Sequence, residues 1–337
     1  MKKLLICLSM LTATSLPQIS FAWGADGHQT VGAIADSLLT GTKAGAQVKT
    51  LLGDNTLEKM SVWADCVKGI SPDKDFAYTS TGRYPECAPF ETASGIAAMA
   101  DYVKRNTDDC HPASGEESCH KQYHYADVSL QHTGYQTGYV GTSDHDVVHA
   151  IRAAALVLQD KPAPAPFHFK DKAEALALIT HYIGDIHQPL HVASVFLDAN
   201  GKIINPDEVA HDQNNNTVGG NALQCPCGNF HALWDDLPFQ YKHGRMNNAL
   251  TKKARTLTLV VAPLDQFPVI WANDAIADAK LIFAGTQFSK STQNQFGSNW
   301  SIGLPLEYEK TMQNVKDDAL ARAGAHLAQI LQTIWPE

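Results

Sequence analysis

The segment 171–191 constrains this chain more than any other. It is apolar-rich with a helical period, and Pro189 near its end has no N–H to donate and a fixed φ, so the helix must bend or stop there. Within it His181 and Asp185 stand four residues apart, roughly 40° around a helix, so an imidazole and a carboxylate project from one face. His231 and Asp235 repeat that spacing on a second segment that reads as helical. Each pair can hold two coordination positions of one zinc with rigid geometry. His191 follows where the first helix meets Pro189.

The rest of the chain frames these pairs with more helix. Residues 30–39 place Val31, Ile34, Ala35 and Leu38 on one face. Ser143-Asp144 reads as a helix start ahead of Val147, Val148, Ile151, Ala154, Ala155 and Leu158, and 251–264 and 317–334 also read as helices. Alternating strand patterns are scarce. Loops rich in Gly, Pro, Asn and Asp fill 71–89, 108–120 and 198–229, and 162–166 reads as a short link between two helices of one domain. The pattern predicts a mainly α fold with long loops and little β-structure.

The first residues read as an export signal. Lys2 and Lys3 precede a mostly apolar run from Leu4 to Leu16, and Ser20-Phe21-Ala22 offers small residues at a cleavage site. That run is too short to cross a bilayer. The reading predicts a signal peptide over 1–22, a mature chain from Trp23 forming one domain over 23–337, and a soluble product, periplasmic or extracellular. Without Lys2 and Lys3 the 26 basic residues fall to 24 against 35 acidic ones, a formal charge of −11. Such a chain has no basic surface for coating nucleic acid, so phosphate binding must be local, with metal cations the obvious source of positive charge. Six cysteines follow Cys7: Cys66, Cys87, Cys110, Cys119, Cys225 and Cys227. An even number in an exported chain reads as disulfides. Cys110 with Cys119 is the first expected pair, and Cys225-Pro-Cys227 has a poor spacing for a zinc finger.

Of fifteen histidines, the remainder carry less. His145 and His149 are also four apart, but the metalloprotease pattern needs Glu where Asp146 stands, so they are expected on a solvated helix face. His187 faces away from His181 and Asp185 and is expected in packing or behind the ligands. His111, His120, His132, His168, His211, His243 and His326 have no carboxylate at a useful spacing and are expected at the surface.

Several short pieces, in order, resemble the S1/P1 nucleases, a family of zinc-dependent single-strand-specific nucleases. They are Trp23-Gly24 with Gly27-His28; Trp63-Ala64-Asp65; Tyr123-His124-Tyr125-Ala126-Asp127; His181 through Gly184-Asp185-Ile186-His187-Gln188-Pro189-Leu190-His191; Gly219-Gly220-Asn221; and Asn229-Phe230-His231 through Trp234-Asp235. The central block is highly specific, while the others are weak singly. The resemblance implies the helical zinc phospholipase C / S1-P1 nuclease fold and three zinc ions. It implies that Asp65, His124, His181 and Asp185 hold the first and that Asp185 bridges to the second. His28 and the α-amino nitrogen and carbonyl oxygen of Trp23 would complete the second, and His191, His231 and Asp235 would hold the third. Read singly, Trp23 also suits a core aromatic, Asp65 a helix cap and His124 a strand histidine.

The chemistry expected is hydrolysis of single-stranded DNA and RNA to 5′-phosphate products, with 3′-nucleotidase activity. Asp65 would aim the attacking water, and Lys68, three residues on, would help neutralise phosphate or is a surface lysine. Tyr125 offers a stacking face for an unpaired base, Asp127 an acceptor for its edge, and Asn221 could complete the pocket. Neither stable membrane association nor an obligate protein partner is expected. A zinc phospholipase C would use the same metal residues, and a non-catalytic zinc carrier would need no base-stacking aromatic. The Tyr125 and Asp127 pair and the Gly-Gly-Asn piece favour the nuclease.

Overall fold

The computed structural model describes residues 23–107, 110, 117–210, 213–226, 228–237, 241, 248–294 and 297–337. The signal segment, His111, His211, His243 and Cys227 lie outside them. Helices dominate the described residues: α1 (Gly24–Leu39), α2 (Lys43–Leu52), α3 (Leu57–Met60), α4 (Trp63–Val67), α5 (Ala93–Arg105), α6 (Cys119–Gln122), α7 (Val147–Leu158), α8 (Lys172–Ile186), α9 (Phe230–Asp235), α10 (Asn248–Arg255), α11 (Phe267–Phe283) and α12 (Tyr308–Ile334). The expected mainly α class holds.

Helix α8 is the axis of the fold. Asp171 caps it by accepting from Glu174 N–H at 2.9 Å, which satisfies one orphan donor of the first turn, and the Glu174 carboxylate reaches back to accept from the N–H of Lys170, just before the cap, at 2.8 Å. Every residue from Ala175 to Ile186 is buried. A helix buried all round needs no solvent-facing polar stripe, which explains why its residues are mostly apolar apart from Thr180 and the inward-facing His181 and Asp185. It stops at Ile186: the proline forces Gln188 into an extended conformation (φ −85°, ψ 113°), and a 3₁₀ turn, Pro189–His191, follows. Helix α7 packs along one side of α8 and α12 along another, while α1 lies against α12 and α3.

Short strands place the loops that border the site. β1 (Ile70–Ser71) and β2 (Ala77–Tyr78) pair antiparallel. β3 (Val128–Ser129) and β4 (Ala193–Ser194) run parallel in register Val128↔Ala193, which draws the segment after His124 alongside the segment after His191. A five-stranded sheet follows, in the order β6 (Gly228–Asn229), β5 (Leu223–Cys225), β9 (Gly297–Gly303), β7 (Gln287–Phe288), with β8 (Thr292–Asn294) also on β9. Under α9, a second apolar cluster joins Leu190, Leu223, Phe230, Trp234, Trp300 and Tyr308.

The structure corrects several expectations. α7 starts at Val147 rather than near Ser143. Asp146 is its cap, accepting from the N–H groups of Val148 and His149, so His145 precedes the helix and the pair does not share a face. The helix expected over 251–264 ends at Arg255. Beyond it the β-branched run and Pro263 disfavour helix, and Gln329 of α12 binds both the N–H and the carbonyl of Val260. The last helix begins at Tyr308, well before 317, and α2, α5 and α11 were not anticipated. His120 and His326 are buried, not at the surface. His132 does find a carboxylate, Asp207 at 2.7 Å, and stacks on Tyr139. His168 is exposed as expected. Cys110–Cys119 and Cys66–Cys87 are bonded, and Cys225 is also in a disulfide.

Candidate active site

Three groups of buried ligand-type side chains lie at the ends of these elements: His28, His181 and Asp185; Asp65, His124 and His181; and His191, His231 and Asp235. Within each, the ligand atoms lie within 4.8 Å of one another. Thus the eight side chains expected as ligands, drawn from α1, α4, α8 and α9 and from the segments after α6 and α8, converge. His181 belongs to two groups. Asp185 is the hub, with its carboxylate 2.9 Å from His124 Nδ1, 3.2 Å from His181 Nε2, 3.4 Å from His28 Nε2 and 3.7 Å from His191 Nδ1. Trp23, fully buried, is the residue from which α1 starts.

Local sequence explains these positions. The four-residue spacing puts His181 and Asp185 on one face of α8. Gly184 between them leaves room for the His28 ring, because a Cβ there would stand 2.5 Å from His28 Nδ1. Parallel pairing sets His124 beside His191: Ala126 N–H donates to the His191 carbonyl at 2.8 Å, and His191 Nδ1 contacts the His124 carbonyl at 3.0 Å. Gly219 (φ 54°) fits because a Cβ would meet the Leu190 carbonyl at 2.3 Å.

The hydrogen bonds test whether these groups suit metal ions. His181 Nδ1 donates to the Ser61 carbonyl, His191 Nδ1 to that of His124 and His231 Nδ1 to that of Gly219. A carbonyl can only accept, so each Nδ1 carries the proton, and in the neutral form Nε2 of His191 and His231 turns a lone pair inward, while His181 Nε2 faces the Asp185 carboxylate at 3.2 Å. His191 Nε2 and His231 Nε2 then face each other at 3.1 Å, two lone pairs that a shared cation would reconcile. His28 is fully buried with neither ring nitrogen hydrogen-bonded, a cost a metal bond would remove. Burial holds His28 and His124 below the usual imidazole range and His191 at about 3, so these rings stay neutral; His181 is raised despite burial, by Asp185 and Asp65. Burial pushes Asp65 up, yet the Lys68 ammonium at 2.8 Å and the imidazoles outweigh it and hold it at about 2. Burial also opposes ionisation of Asp185, but His181 and His124 hold it well below the carboxylate range. Three buried carboxylates against one lysine leave negative charge that cations would offset, and imidazole with carboxylate is a donor set that suits zinc.

Against this cluster opens a cleft of about 300 Å³ lined by Lys68, Glu117, Lys121, His124, Tyr125, Asp127, Leu190, His191, Val218, Gly219, Asn221 and His231. Lys68, Tyr125, Asp127 and Asn221, all expected to contact substrate, therefore share one cavity with ligand-type histidines. Lys68 is mostly buried rather than a surface lysine. Asp65 sits inside α4 and is no cap. Burial raises Asp127 to about 6, with the Asn216 hydrogen bond pulling the other way. Sequence reading missed Glu117, Lys121 and Val218, which have no motif of their own; only the left-handed turn signalled by Gly219-Gly220 could have flagged Val218. His187 packs instead: its Nδ1 donates to the Ile183 carbonyl and its Nε2 meets His326 Nδ1 at 2.7 Å. His145 contacts Asp144 and Gln122, and His149 contacts Asp146. Neither belongs to a three-ligand group among the described residues.

Comparison with known proteins places the chain among nucleases. Nuclease S1 of Aspergillus oryzae (strain ATCC 42149 / RIB 40) is 25% identical over 345 residues, covering 95% of this chain and 94% of the relative. Endonuclease 5 of Arabidopsis thaliana is 26% identical over 188 residues, or 55% of this chain and 50% of that protein. Endonuclease 2 of the same plant is 27% identical over 174 residues, or 51% and 46%. Against these two the match spans about half the relative's length. The S1/P1 Nuclease family matches residues 23–336. The chain belongs to the S1/P1 nuclease family and is a phosphodiesterase that hydrolyses nucleic acid.

Proposed function

We propose that the protein is an exported, zinc-dependent endonuclease that cuts single-stranded DNA and RNA to 5′-phosphate products and also acts on 3′-nucleotides. The observation that carries this reading is the cleft in which Tyr125, Asp127 and Asn221 stand beside buried His124, His191 and His231. Three zinc ions are assigned to Asp65, His124, His181 and Asp185; to Asp185, His28 and the amine and carbonyl of Trp23; and to His191, His231 and Asp235. When bound, zinc supplies Lewis acidity for activating water and positive charge against phosphate. Asp65 accepts a hydrogen bond from the attacking water and aims it, while Lys68 offsets phosphate charge from 2.8 Å beside Asp65. Tyr125 stacks on an unpaired base and Asp127 accepts from its edge. Paired bases are stacked and bonded already, so a duplex cannot enter that arrangement without being opened.

Export rests on the N-terminal pattern, with removal of 1–22 leaving one domain over 23–337. The disulfides suit an oxidising compartment, and among the described residues no helix is long and apolar enough to cross a membrane. Cleavage before Trp23 would convert its amide nitrogen, a poor donor, into an amine that can coordinate, so the site would be completed only after processing.

The test compares the protein starting at Trp23 with Asp185→Asn on single-stranded and duplex DNA, counting zinc by elemental analysis. About three zinc ions with preferential loss of the single strand, both abolished in the variant, is the expected result. Zinc without any nucleic-acid hydrolysis would overturn it, and release of phosphocholine from lecithin instead would mark a phospholipase C.

A further inference from the structure

Asn216 does not line the cleft, yet it grips a residue that does. Its Oδ1 accepts from the Ser194 hydroxyl at 2.6 Å and from Val218 N–H at 2.8 Å. A backbone N–H can only donate, so the amide oxygen must face Val218 and the NH₂ group must point the other way. That NH₂ donates to Asp127 Oδ2 at 2.8 Å. The orientation of this amide is thereby dictated by its partners.

Both ends of the grip are themselves constrained. Ser194 is fully buried on β4, beside the strand that follows Asp127, and its Oγ also accepts from Gly219 N–H at 3.2 Å. Val218, Gly219 and Gly220 form a left-handed run, with φ of 52°, 54° and 87°. A β-branched residue at positive φ is strained and persists only when its surroundings over-determine it. One amide thus does two jobs: its oxygen secures the turn carrying Val218 and Gly219 at the cleft, and its nitrogen secures the Asp127 carboxylate. A carboxylate has about four lone-pair sites; the Asn216 contact uses one and orients the others.

The geometry points to Asn216 as a positioning residue for base recognition: it presents Asp127 as a fixed acceptor, favouring bases that offer an N–H edge. This rests on the reading of Asp127 as the acceptor for an unpaired base. Asn216→Asp separates the two jobs, because an oxygen remains for Ser194 and Val218 while the donor to Asp127 becomes a second carboxylate oxygen.

The experiment measures kcat and KM on a deoxyadenosine dinucleotide, whose exocyclic amine can be read, and on bis(4-nitrophenyl) phosphate, which has no N–H. Asn216→Asp is expected to lower kcat/KM on the dinucleotide about tenfold relative to the base-free ester, with the loss in KM rather than kcat. An unchanged ratio, or an equal loss on both substrates, would overturn the inference. Asp127→Ala, run alongside, separates the two levels. If it leaves the ratio unchanged, the base-reading role of Asp127 fails; if it shifts the ratio and Asn216→Asp does not, the role of Asn216 alone fails. Should Asn216→Asp not fold, Ser194→Ala carries the test. It removes one donor to the same oxygen, so a fall in the same ratio of a few fold is expected, and no change refutes it.

Discussion

Substituting Gly184 by alanine should separate metal binding from folding. The new Cβ would stand 2.5 Å from His28 Nδ1 and 2.8 Å from its Cε1. Ordinary contacts between such atoms are about 3.5 Å, so the ring must retreat by about 1 Å. It has little freedom to do so, being fully buried and stacked on His181 with centroids 3.7 Å apart. Overpacking of this kind costs about 1–3 kcal/mol, while replacing a mid-helix glycine by alanine returns about 1 kcal/mol. The net loss for the metal-free protein is therefore about 0–2 kcal/mol, and its melting temperature should fall by no more than about 5 °C. Coordination is far less tolerant, since bond lengths hold to about 0.2 Å. Gly184→Ala should accordingly carry about one zinc fewer per chain, lost from the site assigned to His28, Asp185 and Trp23. Calorimetric melting after chelator treatment, then zinc titration with elemental analysis, reads both quantities. A variant that melts higher than the parent and keeps its full zinc content would refute the steric reasoning.

Two further outcomes follow from other contacts. Burial raises Asp127 from 3.8 to about 6, so the fold prefers its protonated form; that contribution is complete below about pH 3.8 and is lost as pH rises through 6, a change of about 3 kcal/mol at most. In denaturant titrations of the chelated proteins, Asp127→Asn should gain on the parent between pH 4 and 7, and parallel profiles would contradict this. Gln188 is fully buried, donates to Asp235 Oδ1 at 2.8 Å and accepts from Leu190 N–H at 2.7 Å. Gln188→Leu should weaken zinc at the His191, His231 and Asp235 group about 10–100-fold in competition titrations, whereas unchanged affinity would mean that Asp235 is aligned without it.

What could be read in the sequence was what is local in the chain. His181 with Asp185 and His231 with Asp235 each lie on one helix, so spacing alone placed both partners on a common face. The stop at Pro189 was legible for the same reason, because proline acts on its own backbone and on the residue before it. His28, Asp65 and His124 carried no comparable signal; only resemblance assigned them, since they reach the cluster from separate elements. Burial was a further error. His120 and His326 sit in the interior because of neighbours far along the chain, and His132 meets a carboxylate 75 residues away. No pattern marked Asn216, and Gln188, though part of the central block, carried no role there; both roles exist only once Asp127 and Asp235 have been brought to them. The short strands escaped notice because most are two or three residues long, too brief for an alternation to show.

The packing of α1 against α12 has a consequence in time. α1 bears His28, yet it packs most extensively on the helix spanning Tyr308–Ile334, which the ribosome makes after every one of the clustered His and Asp residues. A nascent chain that already contains His124, His181 and Asp185 has no finished seat for its own first helix. Vectorial synthesis therefore defers closure of the cluster until α12 has emerged, and a chain truncated before residue 308 should contain all of the clustered side chains without bringing His28 to the others.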